Sequence, residues 1–194
     1  MQKLTRNDLF TLEKYAEVRA DFRQRVMAHK KPRRIAIGPH VNLYFEDQLT
    51  MQYQIQEMLR VERIFEAAGI DEELLSYNPL IPDGGNLKAT LMIEYADVEQ
   101  RRQALAELKG LENKVWMQVA GFDKIWPIAD EDLARENTEK TSAVHFLRFE
   151  FSPVMIDRLK NNAVLSAGVE HAHYHHVVES LAEASRQSLI QDFD

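Results

Sequence analysis

The residues with the clearest chemical potential lie together near the end of the chain. Residues 170–176 read Glu-His-Ala-His-Tyr-His-His. In an extended strand His171, His173 and His175 would share one face, and in a helix His171 would stack on His175. Such imidazoles could bind a divalent metal such as iron, manganese or zinc, with Glu170 or Glu179 nearby, or Glu57 from elsewhere in the chain, as a carboxylate ligand. The alternatives are an exposed polar edge at the end of a strand and a role of these histidines in proton transfer.

A second candidate is the pair formed by Glu57 and Arg60, which are three positions apart. On a helix this spacing favours an intrahelical ion pair that contributes only about 0.2 to 0.5 kcal/mol. The functional alternative is a partly buried Glu57 beside a cleft, with its pKa set by Arg60. The spacing alone leaves both interpretations open.

A third candidate is Glu94, on a predicted strand over residues 87–95. Alternation places Thr90, Met92 and Glu94 on one face of that strand. A carboxylate in such an apolar run is expected at the end of the sheet rather than in its core. If Glu57 and Glu94 faced each other, they could form a two-carboxylate acid/base or metal site. Nothing in the sequence shows that they meet.

The N-terminal elements that would carry Glu57 are mainly helical. Apolar residues at helical spacing and at strand alternation predict helices over 5–29, 47–68 and 71–77 and strands over 33–38 and 41–46. Thr5 and Asp8 would cap the first helix, and Gly69 would end the second. The loop 78–86 contains two prolines and two glycines, which marks a boundary between two parts of the chain.

The C-terminal part has a more regular order. Its predicted strands cover 87–95, 114–120, 141–151 and 164–171, and its predicted helices cover 97–110, 153–162 and 180–191. The order β-α-β-β-α-β with a final helix is typical of the split-βαβ, ferredoxin-like fold, which is mostly antiparallel. We therefore expect an α+β protein with a helical part at 1–80 covering a sheet at 85–194, either as two units or as one integrated domain.

Composition excludes several functions. The chain of 194 residues has no cysteine, which excludes disulfides, thiolate nucleophiles and iron–sulfur ligation. Its net charge of −7 disfavours nucleic-acid binding. The one basic run, 30–34, is interpreted as a solvated helix end with a loop, or as an anion site. Without an apolar leader or a membrane-length apolar segment, the protein is expected to be cytoplasmic with no membrane partner.

Several blocks of sequence occur in an order that resembles a known bacterial family. They are Arg33-Arg34, Phe45-Glu46, 54–63, 77–80, 89–95, Arg148-Phe149, and Glu170-His171 with Tyr174. Over nearly its whole length the chain resembles the uncharacterised family named domain of unknown function 3501. At the position of the histidine cluster, the family that the chain resembles has the pattern Asp-His-Pro-x-Tyr. Only His171 and Tyr174 of this sequence match that pattern. With Glu57, Arg60 and Glu94 from the patterns above, His171 and Tyr174 complete a candidate polar cluster, although the sequence does not show whether these residues converge.

The resemblance implies no assigned activity. Genes of the family often lie near rubrerythrin-like and iron–sulfur oxidoreductase genes, which implies a link to redox or peroxide stress. The leading hypothesis is therefore an accessory or binding protein that acts with such a redox partner, as a homodimer. The rival hypothesis is a small metal-dependent or acid/base enzyme that uses Glu57, Glu94 and His171, with Arg60 binding an anion.

Overall fold

The computed structural model describes residues 2–132, 135 and 140–194, and its helices and antiparallel sheets confirm the α+β class. The helices are α1 (Leu12–Lys30), α2 (Gln48–Glu62), α3 (Ala67–Tyr77), α4 (Val98–Glu107), α5 (Pro153–Lys160) and α6 (Glu183–Leu189). The strands are β1 (Arg34–Ile37), β2 (Val41–Phe45), β3 (Asn86–Ile93), β4 (Val115–Val119), β5 (Ile128–Ala129), β6 (Val144–Glu150), β7 (Leu165–His171) and β8 (Tyr174–Val178). None of the described helices is both long and apolar enough to cross a membrane.

The first helix starts later than predicted. Thr5 and Asp8 do form a capping box, but it closes only the short 3-10 turn Arg6–Asp8. The helix α1 begins after Thr11, whose side-chain oxygen accepts a hydrogen bond from the Lys14 N–H at 3.2 Å. A second cap a few residues downstream therefore sets the start of the helix.

The second and third helices were predicted over 47–68 and 71–77, but the boundary between them lies earlier: α2 ends at Glu62 and α3 begins at Ala67. Arg63 has a left-handed backbone conformation with φ of 56°, which ends α2 because helical hydrogen bonding cannot continue through it. Gly69 consequently lies inside α3 rather than at the end of a helix.

The strands form two antiparallel sheets, and a ferredoxin-like arrangement is not confirmed. One sheet has the order β1-β2-β3-β6-β5, and the other has the order β4-β7-β8. A split-βαβ fold would join β4 and β7 to the sheet of β3 and β6. Here β2 pairs with the free edge of β3 and β5 pairs with the free edge of β6. Because both edges are occupied, β4 and β7 pair with each other.

The two faces of the five-stranded sheet differ in what they contact. Its inner face carries residues such as Leu43, Leu91 and Phe149, which pack with the buried residues of the three-stranded sheet in one core. The first three helices have apolar clusters of their own, one around Ile55 and one around Tyr15. These helices contribute side chains to a cavity on the opposite, outer face of the sheet.

Candidate functional site

Glu57 is held by donors from two helices. Its carboxylate accepts hydrogen bonds from Tyr15 Oη at 2.6 Å, from both nitrogens of the Arg19 fork at 2.8 Å, and from Arg60 at 3.1 Å. Hydrogen bonds from Arg19, Tyr15 and Arg60 lower the pKa of Glu57 to about 2. A carboxylate offers about four lone-pair sites, so these four bonds engage it fully. Glu57 therefore joins α1 to α2.

Glu94 follows the last residue of β3, at the end of the sheet as its sequence context suggested. Its carboxylate accepts hydrogen bonds from Asn42 at 2.6 Å and Tyr44 Oη at 3.3 Å. Arg34 lies 3.8 Å from the same carboxylate. The side chain is 43% exposed, so the carboxylate is solvated. None of its hydrogen-bond partners is a partner of Glu57.

The histidine cluster forms a hairpin instead of one strand or helix. The strand β7 ends at His171 and β8 begins at Tyr174, so His173 lies in the turn and His175 on the returning strand. His171 Nε2 donates to the carbonyl of Lys109 at 3.0 Å, while its Nδ1 accepts from the His173 N–H at 3.2 Å. Both ring nitrogens are thus engaged. Within residues 2–132, 135 and 140–194, no group of three or more His, Asp or Glu side chains is arranged to hold a metal ion.

Tyr174 links the two sheets. Its hydroxyl donates to the carbonyl of Ile37 at 2.6 Å and accepts from the N–H groups of His40 at 3.0 Å and Val41 at 3.2 Å. These groups flank the β1–β2 turn. Gly38 in that turn has φ of 71°, and a Cβ there would lie 2.6 Å from the Tyr174 hydroxyl. The side chain of Tyr174 is therefore a structural anchor.

A cavity of about 460 Å³ lies between the first three helices and the outer face of the five-stranded sheet. The sheet contributes two rows of paired residues, Tyr44 with Thr90 and Phe146, and Met92 with Val144. The other lining residues are Lys30, Glu46, Met51, Gln54, Tyr77 and Leu80. We call this space the outer-face cavity. Its size and mostly apolar lining are typical of small-molecule sites.

The carboxylate of Glu46 is the most unusual group in the outer-face cavity. The residue is 5% exposed, and its Oε1 accepts a hydrogen bond from Thr90 Oγ1 at 2.8 Å. Its Oε2 has no hydrogen-bond partner in the described part of the chain. Glu112 also has an unpartnered Oε2, but His145 Nε2 lies 3.8 Å away. No comparable cation accompanies Glu46 among the described residues.

The local sequence explains how Glu46 is placed. The strand β2 ends at Phe45, and Asp47 caps α2 by accepting a hydrogen bond from the Thr50 N–H at 2.9 Å. Glu46 is therefore the single residue between the end of β2 and the N-cap residue of α2. Its side chain projects on the same face as Tyr44, two positions earlier.

Arg33 fixes the backbone on both sides of this junction. The guanidinium is 2% exposed and donates to the carbonyls of Phe45 at 3.1 Å and Glu46 at 3.2 Å. It also pairs with Asp192 at 2.5 Å, near the end of the described chain. Burial raises the pKa of Asp192 to about 6, although the charge of Arg33 opposes this shift. The buried pair connects the C-terminal segment to the wall of the outer-face cavity.

Lys30 lies in the last turn of α1 and is half-buried at the outer-face cavity. Its ammonium group forms no hydrogen bond or ion pair with any residue that the structure describes. Glu46 and Lys30 thus bring opposite charges to one cavity without pairing with each other.

Comparison with known proteins identifies the family. The sequence profile described as "Protein of unknown function (DUF3501)" matches residues 3–193. The chain belongs to this family. The chain is also similar to the crystal structure of a novel protein of unknown function from Burkholderia pseudomallei, with 50% sequence identity and a TM-score of 0.94 over 100% of both chains. No curated protein matches it at a significant level.

The site of this DUF3501 protein includes residues that the sequence did not reveal. Alternation correctly placed Thr90 and Met92 on one face, and the same rule applied to the strand ending at 46 could have found Glu46 beside Tyr44. Lys30 belonged to a basic run with two open interpretations. Its position at the cavity depends on how α1 packs over the sheet, which no local pattern specifies.

Proposed function

We propose that the protein binds a small molecule in the outer-face cavity. The observation that carries the proposal is the buried carboxylate of Glu46, whose Oε2 has no partner in the described residues while the residue lines a largely apolar cavity. An unsatisfied buried acceptor costs roughly 1 to 3 kcal/mol. Native proteins retain few such groups, and a functional role is one of the recognised reasons. A ligand that donates a hydrogen bond would remove this cost.

The rival hypothesis of a small enzyme gains no support from the geometry. Catalytic groups must reach one substrate together, yet Glu57, Glu94 and His171 each have a separate set of partners. Arg60, the expected anion-binding residue, is itself paired with Glu57.

The proposal covers binding only. The family and its solved relative are described as of unknown function, and neither supports a link to redox or peroxide stress. The redox partner and the homodimer stay predictions.

The proposal is tested by saturation-transfer NMR against a library of small amphipathic compounds. The substitution Val144→Trp fills the cavity from the sheet side, because Val144 lines it in the same row as Met92. Val154→Trp is the matched control, since Val154 is 60% exposed on α5. We expect compounds that bind the unmodified protein to lose their signal with Val144→Trp and to keep it with Val154→Trp. Compounds that keep their signal with Val144→Trp would contradict the proposal. A library in which no compound binds the unmodified protein would also contradict it.

A further inference from the structure

We infer that the ligand of the outer-face cavity is a small zwitterion with an apolar body, such as an aromatic amino acid; this inference rests on the proposed function. Two charged groups of opposite sign line the cavity, Lys30 and Glu46. Neither forms an ion pair with the other or with another described residue. A ligand with one ammonium and one carboxylate would satisfy both.

Other ligand charges fit less well. A purely cationic ligand would satisfy Glu46 but would be repelled by Lys30, and a purely anionic ligand would have the opposite problem. A neutral apolar ligand would cover both charged groups without offering either of them a hydrogen bond or an opposite charge, which is costly in a cavity of low polarity. Charge interactions are also stronger there than in bulk water. Lys30 and Glu46 together therefore favour a ligand that carries both a positive and a negative charge.

The rest of the cavity specifies the body of the ligand. The residues that line the cavity include Met51, Met92 and Phe146. Methionine sulfur and aromatic edges pack favourably against an aromatic ring. A volume of about 460 Å³ lies within the range of roughly 300 to 1,000 Å³ typical of ligand pockets. An aromatic amino acid has the matching charges and an apolar ring of suitable size.

Three probes with the same ring separate the contributions of the two charges. L-phenylalanine has both groups, phenethylamine lacks the carboxylate, and 3-phenylpropanoate lacks the ammonium. Hydrogen bonds to charged groups contribute about 1.5 to 3 kcal/mol, which is at least tenfold in affinity. Calorimetry should therefore show that L-phenylalanine binds the unmodified protein at least about tenfold more tightly than either analogue.

Two substitutions assign the charges to residues. Lys30→Met should weaken the binding of L-phenylalanine by about tenfold or more. It should not weaken the binding of phenethylamine, which becomes tighter if the Lys30 ammonium repels it. Glu46→Gln should weaken the binding of both ammonium-bearing probes by about tenfold or more. It should not weaken the binding of 3-phenylpropanoate, which becomes tighter if the Glu46 carboxylate repels it. The matched controls are Lys31→Met and Glu99→Gln, because both residues are exposed and lie outside the lining of the cavity. Circular dichroism verifies that each variant is folded.

The possible failures are distinguishable. If all three probes bind equally, or if neither substitution changes the order of affinities, the zwitterion inference is overturned while binding in the cavity stands. The zwitterion inference also fails if none of the probes binds although library compounds still bind in a manner sensitive to Val144→Trp. If L-phenylalanine binds equally well to Val144→Trp, the site itself is misplaced and both claims fail.

Discussion

The two faces of the five-stranded sheet are built from alternating residues of the same strands but serve different purposes. On the inner face Leu43 pairs with Leu91, and both are fully buried in the core shared with the second sheet. On the outer face Tyr44 pairs with Thr90 beside a cavity that contains an unpartnered carboxylate. A step of one residue along a strand thus separates the face that packs in the core from the face that lines the proposed binding site. Side-chain alternation allows one face to keep stability while the other holds groups that reduce it.

The largest effect on stability is expected at Arg33, which donates hydrogen bonds to the backbone carbonyls of Phe45 and Glu46. Arg33→Met should lower the free energy of unfolding by about 3 to 5 kcal/mol, because it leaves a buried Asp192 and two carbonyls without their partner. Arg34→Met is the control, since the Arg34 side chain is 51% exposed and its removal should change stability by less than about 1 kcal/mol. Urea denaturation measures both, and equal losses would show that the buried pair has no special role.

The next effect contrasts the two faces directly. Leu91→Ala should cost about 2 to 5 kcal/mol, because it opens a void in a close-packed core. Met92→Ala, at the adjacent position, should cost less than about 1 kcal/mol, because its side chain already borders open space. Chemical denaturation of the two variants provides the comparison. Similar losses at both positions would mean that the outer face is packed like the core.

A smaller effect concerns the pH dependence of stability. Burial raises the pKa of Asp192 from an ordinary value near 3.8 to about 6, so the folded protein binds a proton more tightly than the unfolded chain does. The protonated Asp192 side chain therefore stabilises the folded protein. This contribution is fully present below pH 3.8 and is lost as the pH rises through about 6.

We expect Asp192→Asn to remove this decline, which amounts to roughly 2 to 3 kcal/mol. The free energy of unfolding measured from about pH 4 to about pH 7 should fall in the unmodified protein by that much more than in the variant. Parallel pH profiles for the two proteins would contradict the assignment to Asp192.

The smallest effect is expected when glutamate is replaced by glutamine at two positions, where the changes in the free energy of unfolding should have opposite signs. Glu57→Gln should lower the free energy of unfolding by about 1 kcal/mol, because it weakens charge-assisted hydrogen bonds to Arg19. Glu46→Gln should raise it by roughly 1 kcal/mol, because it removes a buried carboxylate with an unpartnered oxygen. Thermal unfolding compares the two variants. Destabilisation by Glu46→Gln would show that its carboxylate is stabilised in a way that the contacts do not reveal.

Local sequence patterns predicted much of the fold but not the pairing of its strands. Helical spacing and caps identify most elements, and the i,i+3 spacing of Glu57 and Arg60 favoured the ion pair that the structure shows at 3.1 Å. The division into two sheets depends on which strand edges are already occupied. The short strand Ile128–Ala129 occupies one of them, yet it lies in a segment whose composition indicates no clear strand.

The candidate site shows the same limit. Thr90 and Met92 were assigned to one face because alternation is a local property of a strand. Glu46 and Lys30 belong to separate elements, and only the packing of α1 and α2 over the sheet brings them to one cavity. Tyr174 was a candidate for chemistry, but its hydroxyl is engaged by backbone groups of a distant turn. Contacts between distant segments are not encoded in local spacing.

The central claim is that a ligand binds on the outer face of the sheet, and methionine methyl NMR tests it most directly. Met51 and Met92 line the outer-face cavity, whereas Met117 is fully buried in the core on the other side of the sheet. In protein labelled with methyl-¹³C methionine, the tightest-binding library compound should shift the signals of Met51 and Met92 and leave that of Met117 unchanged. Shifts at Met117, with none at Met51 and Met92, would contradict the account.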